Sequence, residues 1–205
     1  MNGEKIILDL CGGTGAWSKP YKEAGYDVRV ITKPLFDVTK FIAPDNVYGI
    51  LAAPPCTQFS FARTNAKIQR DLEAGFIVVK ACLDIIWKCR FTGSLKFWAM
   101  ENPKGYLRQF LGKPYLEFSP EDYGDEYQKK TDIWGYFNKP EKKPIVIPAE
   151  KKAKFTTHSQ QLHMVETRGL FTPDAYIPDT EMEFRAIRRS VTPSGFANAF
   201  FKANR

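Results

Sequence analysis

Hydrophobic and polar positions along the first half of this chain fall into short blocks of two kinds. Ile6-Ile7-Leu8-Asp9-Leu10 is a brief apolar run and reads as a buried strand. Trp17 to Ala24 reads as a helix, with Gly25 as its stop. Tyr26 to Ile31 is a second strand and Tyr48 to Ala53 a third. Ile68 to Cys89 places Leu72, Phe76, Val79, Leu83 and Ile86 at helical spacing and is the longest predicted helix. Leu95 to Met100 is another strand, ending in Glu101-Asn102-Pro103. Strands that alternate with helices predict an α/β fold, a parallel sheet joined by crossover helices. In such a sheet, ligands bind beyond the carboxyl ends of the strands.

The pattern changes after Glu101. Tyr115 to Phe118 and Thr131 to Phe137 look like strands of a terminal hairpin. From Asn138 to about Asp179 periodicity is poor and Pro, Lys and Thr are frequent, which predicts long loops or a small irregular lobe. Glu181 to Arg189 and Ser194 to Ala203 read as helices.

Length and composition narrow the class. The 205 residues suit one globular domain, and a hydrophobic content of 43% can build a core. No apolar run approaches the roughly 20 residues of a membrane span. Met1 to Lys5 leads straight into the first strand, so no signal peptide is visible. Four cysteines in a chain of this length do not suggest a disulfide framework, and a cytoplasmic location is expected. The net charge of +7 fits either a polyanionic partner or a solvated basic surface. Between Tyr127 and Leu170, nine Lys or Arg stand against four Asp or Glu, which fits nucleic-acid contact and a solvated basic surface equally.

Three segments carry candidate chemistry. Asp9-Leu10-Cys11-Gly12-Gly13-Thr14-Gly15-Ala16-Trp17 is a glycine-rich strand-to-helix turn, a common seat for a nucleotide-like cofactor. Its spacing is not the dinucleotide pattern GxGxxG. Pro54-Pro55-Cys56-Thr57 ends the third strand, so a cysteine sits at a strand tip in a stiff loop. Alone, such a cysteine reads as a small buried hydrophobe; as a thiolate it is a nucleophile. Glu101 closes the next strand. All three lie at predicted strand ends and should meet on one edge of the sheet.

Taken in order, these segments resemble the S-adenosylmethionine-dependent cytosine carbon-5 methyltransferases. The family's opening loop is matched by Asp9, Leu10, Gly13 and Gly15, with Trp17 where a Phe near the adenine is usual. Its nucleophile motif, Pro-Pro-Cys-Gln-x-Phe-Ser, is matched by Pro54-Pro55-Cys56-Thr57-Gln58-Phe59-Ser60, shifted by one at the glutamine. Its Glu-Asn-Val is here Glu101-Asn102-Pro103, and Asp37 resembles the acid that meets the adenine amino group. The resemblance covers residues 5–110 well and 185–205 weakly. It implies a Rossmann-like methyltransferase sheet, with residues 1–137 as catalytic and cofactor-binding domain. Residues 138–180 then form a reduced, lysine-rich recognition lobe, and 181–205 return as helices to the first domain.

The resemblance also implies the chemistry. Cys56 would add to carbon-6 of cytosine, and Glu101 would hold the ring nitrogen and exocyclic amine, helped by burial that keeps it protonated. Asp9, Leu10, Gly13, Gly15, Trp17, Asp37, Pro54 and Ser190 would hold S-adenosylmethionine. Ser60, Lys129 and Thr131 would contact the nucleic acid, although Ser60 could equally cap the next helix. DNA is the expected partner, single-stranded or with its target base flipped out of the duplex, because a stacked base is out of reach. RNA (tRNA) as substrate and a catalytically silent binding homologue are the alternatives. A monomer without a metal is expected; His158 and His163 have no cysteine pair near them.

Several positions depart from the family pattern. The second strand ends Val30-Ile31-Thr32-Lys33, without the acid that takes the ribose hydroxyls. Where Gln-x-Arg-x-Arg is expected, Gln128-Lys129-Lys130-Thr131-Asp132 stands, and Lys130 is carried over as the catalytic cation although lysine lacks the planar fork of arginine. Arg189 takes an asparagine's place in Arg188-Arg189-Ser190-Val191. The small lobe predicts weak sequence specificity, and such compactness suits a phage enzyme.

Overall fold

The computed structural model describes residues 2–61, 68–148 and 190–205. Most of the expected lysine-rich lobe, the expected helix Glu181–Arg189, and His158 and His163 lie outside the described residues. The described chain forms a six-stranded sheet in the order β2-β1-β3-β4-β6-β5. Its strands are β1 Ile6–Leu10, β2 Asp27–Ile31, β3 Val47–Ala52, β4 Phe97–Pro103, β5 Leu116–Phe118 and β6 Thr131–Tyr136. Strands β1 to β4 run parallel. The expected hairpin of β5 and β6 is present and antiparallel. It closes one end of the sheet, with β6 between β4 and β5 and antiparallel to β4 as well. The fold class is therefore α/β with a mixed sheet, and the expectation of a parallel sheet holds only for β1 to β4.

Both faces of the sheet are covered, as near-continuous apolar strands require. Ile6, Leu8 and Leu10 of β1 point to one side and pack with Ile50, Met100 and the buried side of helix α2 (Leu72–Phe91). Val79, Cys82, Ile86 and Cys89 supply that side at helical spacing. Ile7 of β1 and Leu51, Phe97, Ala99 and Ile133 point the other way. They meet helix α1 (Lys19–Glu23) and helix α4 (Ser194–Ala203) through Tyr21, Phe196 and Phe200. A short helix α3 (Arg108–Leu111) follows β4. The second face is largely aromatic: Phe118 stacks on Phe196 with ring centroids 3.9 Å apart, and Trp17 meets Phe200 at 5.4 Å. Trp98, Trp134, Phe196 and Phe200 belong to the core or pack against it, whereas Trp87 is 47% exposed.

The chain leaves β1 for β2 on one side and for β3 on the other. The crevice beyond the carboxyl ends of β1 and β3 is therefore the topological switch point, where open α/β sheets take their ligands. The glycine turn follows β1 there, and Pro54-Pro55-Cys56 follows β3.

Candidate active site

The Cys56 loop is fastened at both ends to the end of β4. Asn102, fully buried, donates from Nδ2 to the Pro54 carbonyl at 2.9 Å. Past Cys56 the chain turns on itself, with Phe59 N and Ser60 N both donating to the Cys56 carbonyl at 3.0 and 2.8 Å. It then pairs with the segment after β4 through a Ser60–Gly105 bridge and a Tyr106 N to Phe59 carbonyl bond of 2.9 Å. Gly105 is required at this crossing, since a Cβ there would lie 2.2 Å from the Phe59 carbonyl oxygen. Arg70 closes the loop from the third side, donating to the Gln58 and Ser60 carbonyls at 2.8 Å each. Cys56 is partly exposed and Pro54 buried. A thiol on a loop this constrained is preorganised, which is what covalent chemistry asks of a nucleophile.

Glu101 lies within β4, one residue before the anchor Asn102 and opposite Ile133 of β6. Its carboxylate is largely buried and sits 3.6 Å from Lys129 Nζ. Burial pushes its pKa up, and the Lys129 ammonium pulls against that rise. The cation beside Glu101 is therefore Lys129, the residue expected to touch nucleic acid. Lys130, carried over as the catalytic cation, is exposed, and its carbonyl accepts from Lys104 N at 2.9 Å. Thr131 is buried, and its hydroxyl donates to the Lys129 carbonyl at 2.9 Å.

The glycine turn is strained in a useful way. Cys11, a non-glycine residue, has a φ of +57°, and Gly13 and Gly15 follow at +53° and +67°. Asp9 lies beneath the turn, fully buried, and accepts from Ser18 Oγ at 2.5 Å. Its Oδ1 has no hydrogen-bond partner among the described residues. Gly12, absent from the expected motif, is the residue that fits over it: a Cβ there would lie 2.3 Å from Asp9 Cγ. Gly13 is exposed, and a Cβ on it would come within 3.6 Å of Ser190 Oγ, so the turn and Ser190 face each other as expected.

Three expected cofactor residues have other surroundings. Trp17 is 2% exposed and belongs to the aromatic core with Phe196 and Phe200, so its ring is not offered to an adenine. Leu10 is wholly buried on the α2 face, and its carbonyl accepts from Ala53 N at 2.9 Å. Asp37 caps the turn Val38–Lys40, accepting from Thr39 N and Thr39 Oγ1 at 3.0 and 2.7 Å, with Lys33 Nζ 3.2 Å away. Those bonds hold its carboxyl down at about 2.

Burial raises the Asp9 carboxyl from 3.8 to about 6, against the opposing bond from Ser18. The folded chain thus holds this proton more tightly than the unfolded chain. The associated stability is fully present below the unfolded value and is lost as pH rises through about 6. Asp9→Asn keeps the amide oxygen as an acceptor and removes the titration. Its unfolding free energy should gain on that of the parent by about 2–3 kcal/mol between pH 4 and pH 7, read from urea melts at each pH.

Among the described residues no group of three His, Cys, Asp or Glu could hold a metal ion. No helix among them is long and apolar enough to cross a membrane. No protein-family model matches the chain, and no curated protein matches it.

Proposed function

We propose that this chain is a Rossmann-like, S-adenosylmethionine-dependent methyltransferase that acts on carbon-5 of cytosine in DNA, as a monomer. The observation that carries this reading is the fastening of the Cys56 loop to the end of β4 that bears Glu101. The candidate nucleophile and the buried Glu101 thereby belong to the adjacent strands β3 and β4, beside the switch point. The cofactor would lie against the turn of Gly12, Gly13 and Gly15, between it and Ser190. The unpartnered Asp9 oxygen and the strained backbone at Cys11 support a ligand there. When bound, S-adenosylmethionine supplies an electrophilic methyl group on a sulfonium.

The chain's own residues prepare the other reactant. Carbon-5 of cytosine is a poor nucleophile. Addition of the Cys56 thiolate to carbon-6 forms the C–S bond and moves electron density to carbon-5. Glu101, whose pKa burial raises, would in its protonated form donate to ring nitrogen 3 and so favour that addition. Expulsion of the Cys56 thiolate, with the carbon-5 proton passing to water, would restore the aromatic ring and the enzyme. Asn102 positions the loop, and Lys129 limits how far the pKa of Glu101 rises.

Lys129 lowers the pKa of Glu101, so its removal raises it. In Lys129→Met, the limb on which activity falls as pH rises should therefore move to higher pH, as measured by initial rates across a pH series. A limb that stays in place would dissociate Lys129 from the acid.

The reading itself is tested by incubation with tritiated-methyl cofactor and either DNA or tRNA, followed by digestion and identification of the labelled nucleoside. Label in 5-methylcytosine from DNA supports it. Label in tRNA alone moves the substrate to RNA, and no label in either leaves a binding protein.

A further inference from the structure

Beside the Cys56 loop, two aromatic rings stand in water. Phe61 is 47% exposed and Tyr106 is 42% exposed, and their ring centroids are 5.0 Å apart in an edge-to-face pair. In such a pair each ring covers at most one face of the other, so flat apolar surface is left open. Neither ring is on a loose tip. Phe61 N approaches the Lys104 carbonyl at 3.5 Å, and Tyr106 N donates to the Phe59 carbonyl at 2.9 Å. The Arg70 guanidinium lies 5.1 Å from the Tyr106 ring centroid while bonded to the Cys56 loop. The pair is thus built into the same hydrogen-bonded unit as the candidate nucleophile.

Two described cations lie beside the pair: Arg70 flanks Tyr106, and Lys104 lies two residues before it. Rigid rings with open faces, backed by cations, suit a strand of unpaired bases: the rings stack the bases and the cations meet the phosphates. An apolar peptide would have no use for the cations, and duplex DNA would not expose its base faces.

We propose that Phe61 and Tyr106 form a stacking platform for an unpaired base of a single-stranded nucleic acid, the base that flanks the one presented to Cys56. The flanking position rests on the function proposed above; the ability to bind a strand does not. Because every base has a π-face, the platform is tolerant of sequence.

The test uses a fluorescein-labelled oligonucleotide of thymidine alone, which carries no target cytosine, with binding followed by anisotropy. Tyr106→Ala and Phe61→Ala should each weaken binding by about 5- to 100-fold, the loss of one stacked base. The same substitutions should leave binding to a thymidine–adenine duplex within about twofold, since its bases are already stacked. Tyr106→Trp should retain binding and show emission beyond that of the parent chain, quenched as the strand saturates. Unchanged thymidine binding in both alanine variants, or an unquenched tryptophan at position 106, overturns the platform. An equal loss on the duplex overturns the unpaired base. Failure of methyl transfer with thymidine binding still sensitive to both positions would sink only the earlier reading.

Discussion

Cys56→Ser is expected to lower the rate of methyl transfer to DNA by at least about a thousandfold, equivalent to about 4 kcal/mol of barrier. Serine has nearly the shape of cysteine, but its hydroxyl is almost never ionised at neutral pH and is a poor nucleophile toward carbon-6. The loop should not change with it. Bonds that close the turn are made by the Cys56 carbonyl, which accepts from Phe59 N and Ser60 N. Cys56 is also only partly buried, so little packing is disturbed. The variant should melt within about a degree or two of the parent, as expected of a surface-like substitution. Initial rates of tritiated-methyl incorporation check the first expectation and thermal melts the second. A rate within tenfold of the parent would remove Cys56 from the chemistry.

Arg108→Ala is expected to destabilise the fold by about 3–5 kcal/mol, the largest effect on stability foreseen for one substitution here. Asp132 of β6 is 1% exposed, and its carboxylate accepts from Arg108 Nε at 2.5 Å and from Nη2 through its second oxygen. The same Nη2 reaches Glu117 of β5 at 2.7 Å. A single guanidinium thus ties β5, β6 and α3 together. Removing it strands a carboxylate beneath the sheet with water shut out, and that desolvation dominates the cost. A protein of this size has about 5–15 kcal/mol of stability in all, so urea melts should shift by a large fraction of the transition. The double variant Arg108→Met with Asp132→Leu should recover much of the loss, because it leaves no orphaned charge. An Arg108→Ala midpoint equal to the parent's would mean that Asp132 is solvated.

Local pattern made parts of this structure readable and hid others. Ile6–Leu10 and Ser194–Ala203 have the bounds expected of them because their apolar periods are strong and end at turn or cap residues. The placement of the glycine turn after β1 and of Pro54-Pro55-Cys56 after β3, at one edge of the sheet, followed from the sheet rule alone. What depended on pairing far along the chain was not legible. β4 was expected to stop at Met100, yet it continues to Pro103 because Asn102 and Pro103 pair with Asp132 and Thr131. That same pairing decides which lysine meets Glu101. Lys129 and Lys130 both precede β6, and local pattern does not say which of them reaches Glu101. Trp17 looked available to a ligand because it lies just past the glycines; only the packing of α4 shows that its ring is core. Gly12, Asn102 and Arg70 carry no local signal for their roles, which arise from close approaches to Asp9, Pro54 and the Ser60 carbonyl.

The most direct measurement is a mechanism-based trap. A DNA oligonucleotide containing 5-fluorocytosine, incubated with the protein and S-adenosylmethionine, blocks the final loss of the carbon-5 proton, because fluorine occupies that position. The account predicts a protein–DNA adduct that survives denaturation and whose cross-linked peptide, read by mass spectrometry, carries the base on Cys56. An adduct on another residue, or an adduct that persists undiminished in Cys56→Ser, would contradict it.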